Sequence, residues 1–415
     1  MNYTDPILRE IASYSPLDVL LADIAVRIQL TPTEHRLADG RYHSIHEWLE
    51  RDDSSLAGKI QMFYPQGGFS IGATTARHAE DADFDIDAMV QLDMPADSDP
   101  EDVLSELHDA IKGEPGSRYH LKTERKSRCV TVKYDQMHLD VTPAVACPQL
   151  DERSSVIFHS KKLISGFHKE RLIANPWGFA QWFLARTPAE AAFGQFFERR
   201  SLDYERFLVA KAASEAEPVP AQAPAYRKSR AVIALQLIKR WRNLAYDARH
   251  QGNRLPPSVV LAHSVAVNAN RTSSLSEELL HQVSCLIVEL EHAERAGRVY
   301  EAFNPTCEPH DKLTDRWPED LRSQRVFIDE LRAFAVEVER LRKGLPISEM
   351  RKILEKLFGE KPASDSIRNF MDRQVDDDRG GRAAHIPATG TVAAVTSIAT
   401  PAYARATPQR SPWGD

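Results

Sequence analysis

Apolar residues recur at helical spacing near the N-terminus (Leu17, Leu21, Ile24, Ile28), which predicts helical structure within residues 5 to 52. The period then shortens to two. FDIDAMV (84 to 90) reads as a buried strand, with Phe84, Ile86, Met89 and Val90 supplying apolar bulk on the face opposite its acids and at its end. RCVTVKYDQMHLDVT (128 to 142) predicts two alternating strands joined at Asp135-Gln136. Between these strands, Asp99-Pro100 opens a crossover helix that runs through Lys112. Residues 160 to 210 read as helical or irregular, and SEAEPVPAQAPAY (214 to 226) as a loop. Helices are then expected over 227 to 247, 257 to 269, 275 to 296, 318 to 343 and 348 to 358. Gly344 and Pro346 punctuate the last two, and Ser348 serves as an N-cap. Beyond residue 372 the apolar periodicity vanishes, so a mobile tail is expected.

A sheet followed by a run of helices is an α+β pattern, and 415 residues exceed what one core usually serves. The expected division is 1–160 for the sheet with its N-terminal helices, 161–360 for a helical lobe and 373–415 for the tail. With 42% hydrophobic and 27% charged residues, the chain has the composition of a soluble globular protein. No run is long enough for a membrane span and the N-terminus lacks signal-peptide character, so a cytoplasmic location is expected. The net charge of −7 argues against constitutive binding to long nucleic acid. Basic stretches at 118–133 and 227–242 suit phosphate handling near a cleft, although a solvated helix face is the commoner origin of such runs.

The chemistry concentrates at QGGFSIGATTARHAEDADFDIDAMVQL (66 to 92). On an extended chain, Asp85 and Asp87 project from one face, and two carboxylates held that close favour a multivalent cation between them. Asp81 and Asp83 share the same period, so apolar brackets decide for Asp85 and Asp87. Upstream, Gly67 and Gly68, with Ser70 close by, let backbone N–H groups approach phosphate oxygens. Downstream, Asp140 between Leu139 and Val141 adds a third carboxylate on a later strand, completing an oxygen-ligand set for two magnesium ions. Lys239 rides an amphipathic pattern with Val232, Leu235, Ile238 and Trp241. Ser258 follows Pro256-Pro257 at a helix start, where capping is its simplest role.

QGGFSIGATT, DFDIDAMV and HLDVTPA together resemble the bacterial cGAS/DncV-like nucleotidyltransferases of antiphage (CBASS) operons, within the DNA polymerase beta-like superfamily. RAVIALQLIKRWRN, PPSVVLAHSVA and NPTCEPHDKLTDRWPED resemble their helical second half, so the likeness spans roughly residues 15 to 360. The resemblance implies a mixed nucleotidyltransferase sheet with flanking helices packed on a helical lobe, the active site lying in the cleft. It implies that a ribose hydroxyl attacks the α-phosphate of a nucleoside triphosphate, with ATP the expected substrate and a second triphosphate beside it, until a cyclic di- or trinucleotide closes.

By the same resemblance, Asp85, Asp87 and Asp140 are catalytic and hold two Mg2+ ions, or Mn2+ in their place. Gly67, Gly68, Ser70, Lys239 and Ser258 bind nucleotide, and Arg316 and Trp317 are candidates to line the cleft. Two positions depart from the family pattern: Gly68 stands where serine is usual and Ala73 where threonine is usual, leaving Ser70, Thr74 or Thr75 to supply a hydroxyl. The tail is a candidate site for a CBASS accessory protein, ubiquitin-transfer-like or HORMA-type. Some relatives carry a structural zinc in the helical lobe, and His281, Cys285, Cys307 and His310 have suitable spacing. Buried thiols and ordinary histidines explain these four more simply. Two rivals stay open: a transferase of the same fold acting on RNA, protein or a small molecule, and a catalytically idle sensor.

Overall fold

The computed structural model describes residues 14–76, 84–213, 228–269, 274–379, 383–386 and 391–394. The chain divides into two units, Met1–Ser366 and Ile367–Asp415. The first begins with α1 (Pro16–Ile28) and α2 (Pro32–Leu49), each opened by a capping box, Ser15 with Asp18 and Thr31 with Glu34. The sheet follows. Strands β1 (Ile60–Gln66) and β2 (Phe84–Leu92) pair antiparallel, with a one-turn helix α3 (Gly67–Ser70) between them in sequence. Helix α4 (Pro100–Lys112), capped by Asp99, leads through β3 (Thr123–Arg125) and β4 (Val130–Lys133) to β5 (Met137–Ala146). Strand β5 lies parallel to β2 and antiparallel to β4, giving the order β1-β2-β5-β4-β3.

Period-2 alternation explains the placement of the core. Phe84, Ile86, Ala88 and Val90 of β2 join Leu139 and Val141 of β5 in one buried cluster. Leu104, Leu107 and Ile111 of α4 and Ile45 and Leu49 of α2 complete it. Methionine 89 takes the other face, the one that carries the aspartates, where it clusters with Tyr64 and Ala144. That corrects its expected place opposite the acids: two residues beyond Asp87, parity puts it with them.

Part of the stretch expected to be helical or irregular is a long hairpin, β6 (Ser155–Leu163) with β7 (Gly166–Ala174), joined to β5 through Ala144–Ala146. The hairpin escapes a sequence reading because residues 166–171 are exposed and bear no apolar alternation. Helices α5 (Pro176–Arg186), α6 (Ala191–Ala213), α7 (Arg230–Arg249), α8 (Ser258–Val267), α9 (Leu275–Arg295), α10 (Leu321–Arg342) and α11 (Ile347–Phe358) follow.

Helix α7 departs most from its sequence pattern. From 230 to 242 it has no solvated face: Gln236, Lys239, Arg240 and Arg242 are all buried beside Leu235 and Trp241. Its cations are satisfied internally, Arg240 donating to the Phe358 carbonyl at 3.0 Å and Arg242 to the Pro256 carbonyl at 2.6 Å. Pro346, rather than Ser348, caps α11.

The second unit contains residues 367–379 of the last helix, α12 (Glu360–Arg379), and a short antiparallel pair, β8 (Ala383–Ile386) and β9 (Thr391–Ala394). From residue 373 on, these elements fall within the stretch read from sequence as a tail; its other residues, like Asp81, Asp83 and the 214–226 loop, lie outside the described residues. No helix among the described residues is long and apolar enough to cross a membrane.

Candidate active site

The parallel pairing of β2 with β5 places Asp87 opposite Asp140 and Asp85 opposite His138. The three carboxylates therefore share one sheet face, and all three line a cleft of about 570 Å³. Burial pushes the Asp87 carboxyl up to about 7, and the neighbouring charges of Asp140 and Asp85 push the same way; Lys239 opposes them. Asp140 is held from the next strand, where Thr131 Oγ1 donates to its Oδ1 at 2.5 Å. The Cys129 thiol, also hydrogen-bonded to Asp140, is raised by burial and by the Asp140 and Asp87 charges.

Above the carboxylates sits α3. Gly67 adopts a left-handed φ of 61°, and a Cβ there would lie 2.3 Å from Asp87 Oδ2, so only glycine lets the backbone come down onto this carboxylate. The opening N–H groups of a helix have no partners within it, which leaves the Gly67-Gly68 segment able to receive anionic oxygen. Gln66 fastens the approach by donating to the Ala88 carbonyl at 3.3 Å and to Thr142 Oγ1 at 3.1 Å.

Lys239 reaches this loop from α7 and donates to the Ala73 carbonyl at 2.6 Å. A Cβ at Gly68 would stand 3.2 Å from its Nζ, so the ammonium occupies the space beside the glycine. Burial lowers the Lys239 ammonium to about 8, as does Arg242; Asp87 and Asp85 act in the opposite sense. Of the candidate hydroxyls, Ser70 is committed to the Gly67 carbonyl at 2.9 Å. Thr74 Oγ1 is buried with no hydrogen-bond partner among the described residues, and both Thr74 and Thr75 line the cleft.

The remaining candidates divide. Ser258 lines the cleft as the first residue of α8, with Pro257 as the cap, and its hydroxyl accepts from Arg242 at 3.2 Å. Arg316 lines the cleft, whereas Trp317 is fully buried edge-on to Phe327. His281 and Cys285 contact each other on α9, with His281 also at the Asn268 carbonyl, while Cys307 neighbours Ser154.

Sequence reasoning missed Thr131 and the Arg128–Asp315 pair, 2.5 Å apart at the cleft wall. A signal for Thr131 existed: it and Asp140 are equidistant from the Asp135-Gln136 turn, which makes them cross-strand partners.

The donor set suits a hard divalent cation, since three carboxylates offer oxygen alone. One other trio, His159, His168 and Glu170 on the β6–β7 hairpin, has ligand atoms within 4.8 Å of one another, the only such trio among the described residues. The three aspartates do not all fall within that distance of one another. The hairpin trio is poorly placed for a cation. His159 Nδ1 accepts from Arg128 Nε at 3.1 Å, and burial together with the Arg128 and Arg316 charges holds its imidazole below the usual value.

Comparison with known proteins fits this geometry. The sequence model of the Second Messenger Oligonucleotide or Dinucleotide Synthetase domain matches residues 18–155. The cyclic dinucleotide synthase CdnG of Bradyrhizobium diazoefficiens is 34% identical over 401 residues, covering 94% of each chain. The chain belongs to the cGAS/DncV-like nucleotidyltransferases. It is an enzyme of the class that makes cyclic oligonucleotides, and members of this family use divalent metals.

A c-di-GMP synthase of Roseivirga ehrenbergii is 26% identical over 353 residues, 83% of this chain and 85% of that one. The structure of Bradyrhizobium CdnG in complex with GTP superposes with a TM-score of 0.71, at 34% identity over 86% of this chain and all of the other. The CdnC:HORMA complex from E. coli MS115-1 shares the fold at 15% identity, with a TM-score of 0.52 over 82% of this chain and 96% of that one. The mixed sheet, flanking helices and helical lobe are thus those of cGAS/DncV-like nucleotidyltransferases, as the sequence resemblance implied.

Proposed function

We propose that the cleft joins two guanosine triphosphates into a cyclic dinucleotide, with Asp85, Asp87 and Asp140 as the catalytic carboxylates. The register that sets Asp87 against Asp140, with Asp85 two residues away on the same face, carries this reading. GTP is favoured over the ATP expected from sequence because one relative is a c-di-GMP synthase and another was captured with GTP.

The triphosphate lies along the Gly67-Gly68 backbone, with its distal charge on Lys239 and a hydrogen bond from Thr74. Thr74 and Lys239 replace the hydroxyl that Gly68 lacks. Ser70 supports the loop from within, and Ser258 with Arg242 closes the far wall. Asp85 and Asp87 would hold two Mg2+ ions, with Asp140 on the one nearer the nucleophile; bound there, the metal lowers the pKa of the attacking hydroxyl and offsets charge on the leaving group. The ribose hydroxyl oxygen bonds to the α-phosphorus of the second nucleotide, the bond to pyrophosphate breaks, and the hydroxyl proton passes to a carboxylate oxygen. Repetition within the same cleft closes the ring. The product serves as a second messenger in antiphage defence in the cytoplasm, and the C-terminal residues engage an accessory protein.

Purified protein incubated with labelled GTP, ATP or both, in Mg2+, and then digested with phosphatase tests this reading. A phosphatase-resistant product made from GTP alone supports it. Label attached to RNA, protein or a small acceptor would support the rival transferase, and no turnover with any triphosphate, with or without a partner, would support the idle sensor.

A further inference from the structure

Behind the phosphate-holding loop lies a second cavity of about 550 Å³, nearly as large as the cleft itself. The two share Ser70, Ile71 and Thr74 in their walls, so one thin segment separates them. The second cavity is largely apolar, walled by Leu30, Pro32, Pro65 and Phe69, with the His35 ring stacked on Phe69 at 4.9 Å.

One cation stands in it. Lys228 donates to Gln29 Oε1 at 2.8 Å and to Gln236 Oε1 at 3.4 Å, two neutral amides. Glu205 lines the same cavity, yet no ion pair joins it to Lys228 among the described residues, and burial alone raises its carboxyl. Lys228 is half-buried, and an ammonium drawn partly out of water beside neutral partners carries a cost that an entering anion reduces. Burial lowers Lys228 to about 7, and the charge of Lys239 acts in the same direction. A direct link also runs to the loop: Gln236, which accepts from Lys228, donates its Nε2 to the Thr74 carbonyl at 2.8 Å.

We propose that this cavity binds a small amphipathic anion, its acidic group on Lys228 and its apolar body against Leu30, Pro32 and Phe69, and that occupancy reaches the phosphate loop through Gln236 and Thr74. The binding half stands on the cavity and on a cation that has no ion-pair partner among the described residues. The coupling half rests on the proposed role of the cleft.

The probe is 8-anilinonaphthalene-1-sulfonate, titrated by fluorescence into the full chain and into Lys228→Met, while dinucleotide formation from GTP is followed in parallel. We expect one saturable site in the unaltered protein that saturating GTP does not displace. The site weakens at least tenfold in the variant, whose basal synthesis stays within twofold. Probe binding changes the initial rate of synthesis at least twofold in the unaltered protein and leaves the variant's rate unchanged.

Absence of saturable binding, equal affinity in both proteins, or displacement by GTP would overturn the site. Binding with no change in rate would overturn the coupling. Lys228→Gln repeats the comparison if the methionine variant does not fold. Because binding is read by fluorescence, an inactive synthase would count against the proposed function and leave the test of the site intact.

Discussion

A side chain at Gly67 would lie 2.3 Å from Oδ2 of Asp87, so the loop proposed to hold phosphate and the carboxylate proposed to hold metal are fitted to one another atom against atom. Gly67→Ala must either move the loop or turn the carboxylate, and it also places alanine at φ 61°, which costs about 1–2 kcal/mol. A displacement on the order of 1 Å at reacting groups costs roughly 100-fold in rate. We expect dinucleotide synthesis to fall at least that far while the melting temperature drops by only a few degrees. An active Gly67→Ala enzyme would show that the loop does not position the chemistry.

Thr131 acts through Asp140. Its hydroxyl fixes Oδ1 at 2.5 Å. Thr131→Val keeps the shape and removes the donor, at a cost of roughly 1.5–3 kcal/mol for a hydrogen bond to a charged group. Such a loss corresponds to about 10- to 100-fold. The expected result is a lower kcat and a higher half-saturating Mg2+ concentration, a nearly unchanged KM for GTP, and recovery in Thr131→Ser. A change in KM alone would assign Thr131 to nucleotide binding.

The sheet and the acidic site were legible because strand periodicity is a local property. Parity along FDIDAMV put Asp85 and Asp87 together, and the turn at Asp135-Gln136 set the strand that carries Asp140. What escaped was set at a distance. Residues 166–171 alternate nothing, since the outer strand of the β6–β7 hairpin faces solvent on both sides. Helix α7 looked amphipathic because Lys239, Arg240 and Arg242 are charged, yet each finds a carbonyl or a carboxylate inside the protein. The family resemblance names Lys239 itself, but its place beside Gly68 was not legible, because 171 positions separate the two residues along the chain.

The pH response follows from Asp87. Its carboxyl is raised from the usual range to about 7, so its contribution to the stability of the metal-free fold is full below about pH 4 and is lost as pH rises through 7. Metal binding requires the ionised form. Below pH 7 it must displace a proton, and apparent Mg2+ affinity should fall up to about tenfold per unit. Titration calorimetry at pH 6 in buffers of different ionisation enthalpy should register a released proton that vanishes in Asp87→Asn. Affinity independent of pH between 5.5 and 8 would contradict this assignment.

Lys239 is charged at neutral pH, its ammonium lowered only to about 8. Lys239→Met should raise the KM for GTP about 10- to 100-fold, the range expected when a charge-assisted contact to phosphate is lost. The Asp87 carboxyl should shift further upward, because the cation opposing its rise is gone. Unchanged KM would leave the lysine a structural role at the Ala73 carbonyl.

A crystal of the protein grown with Mn2+ and a non-hydrolysable GTP analogue, read by anomalous scattering, puts the proposed chemistry to the test in one experiment. We expect two manganese peaks coordinated by Asp85 and Asp87, one of them shared with Asp140, and the triphosphate lying on Gly67-Gly68 within reach of Lys239. Manganese bound elsewhere, or a triphosphate seated away from the three aspartates, would contradict it.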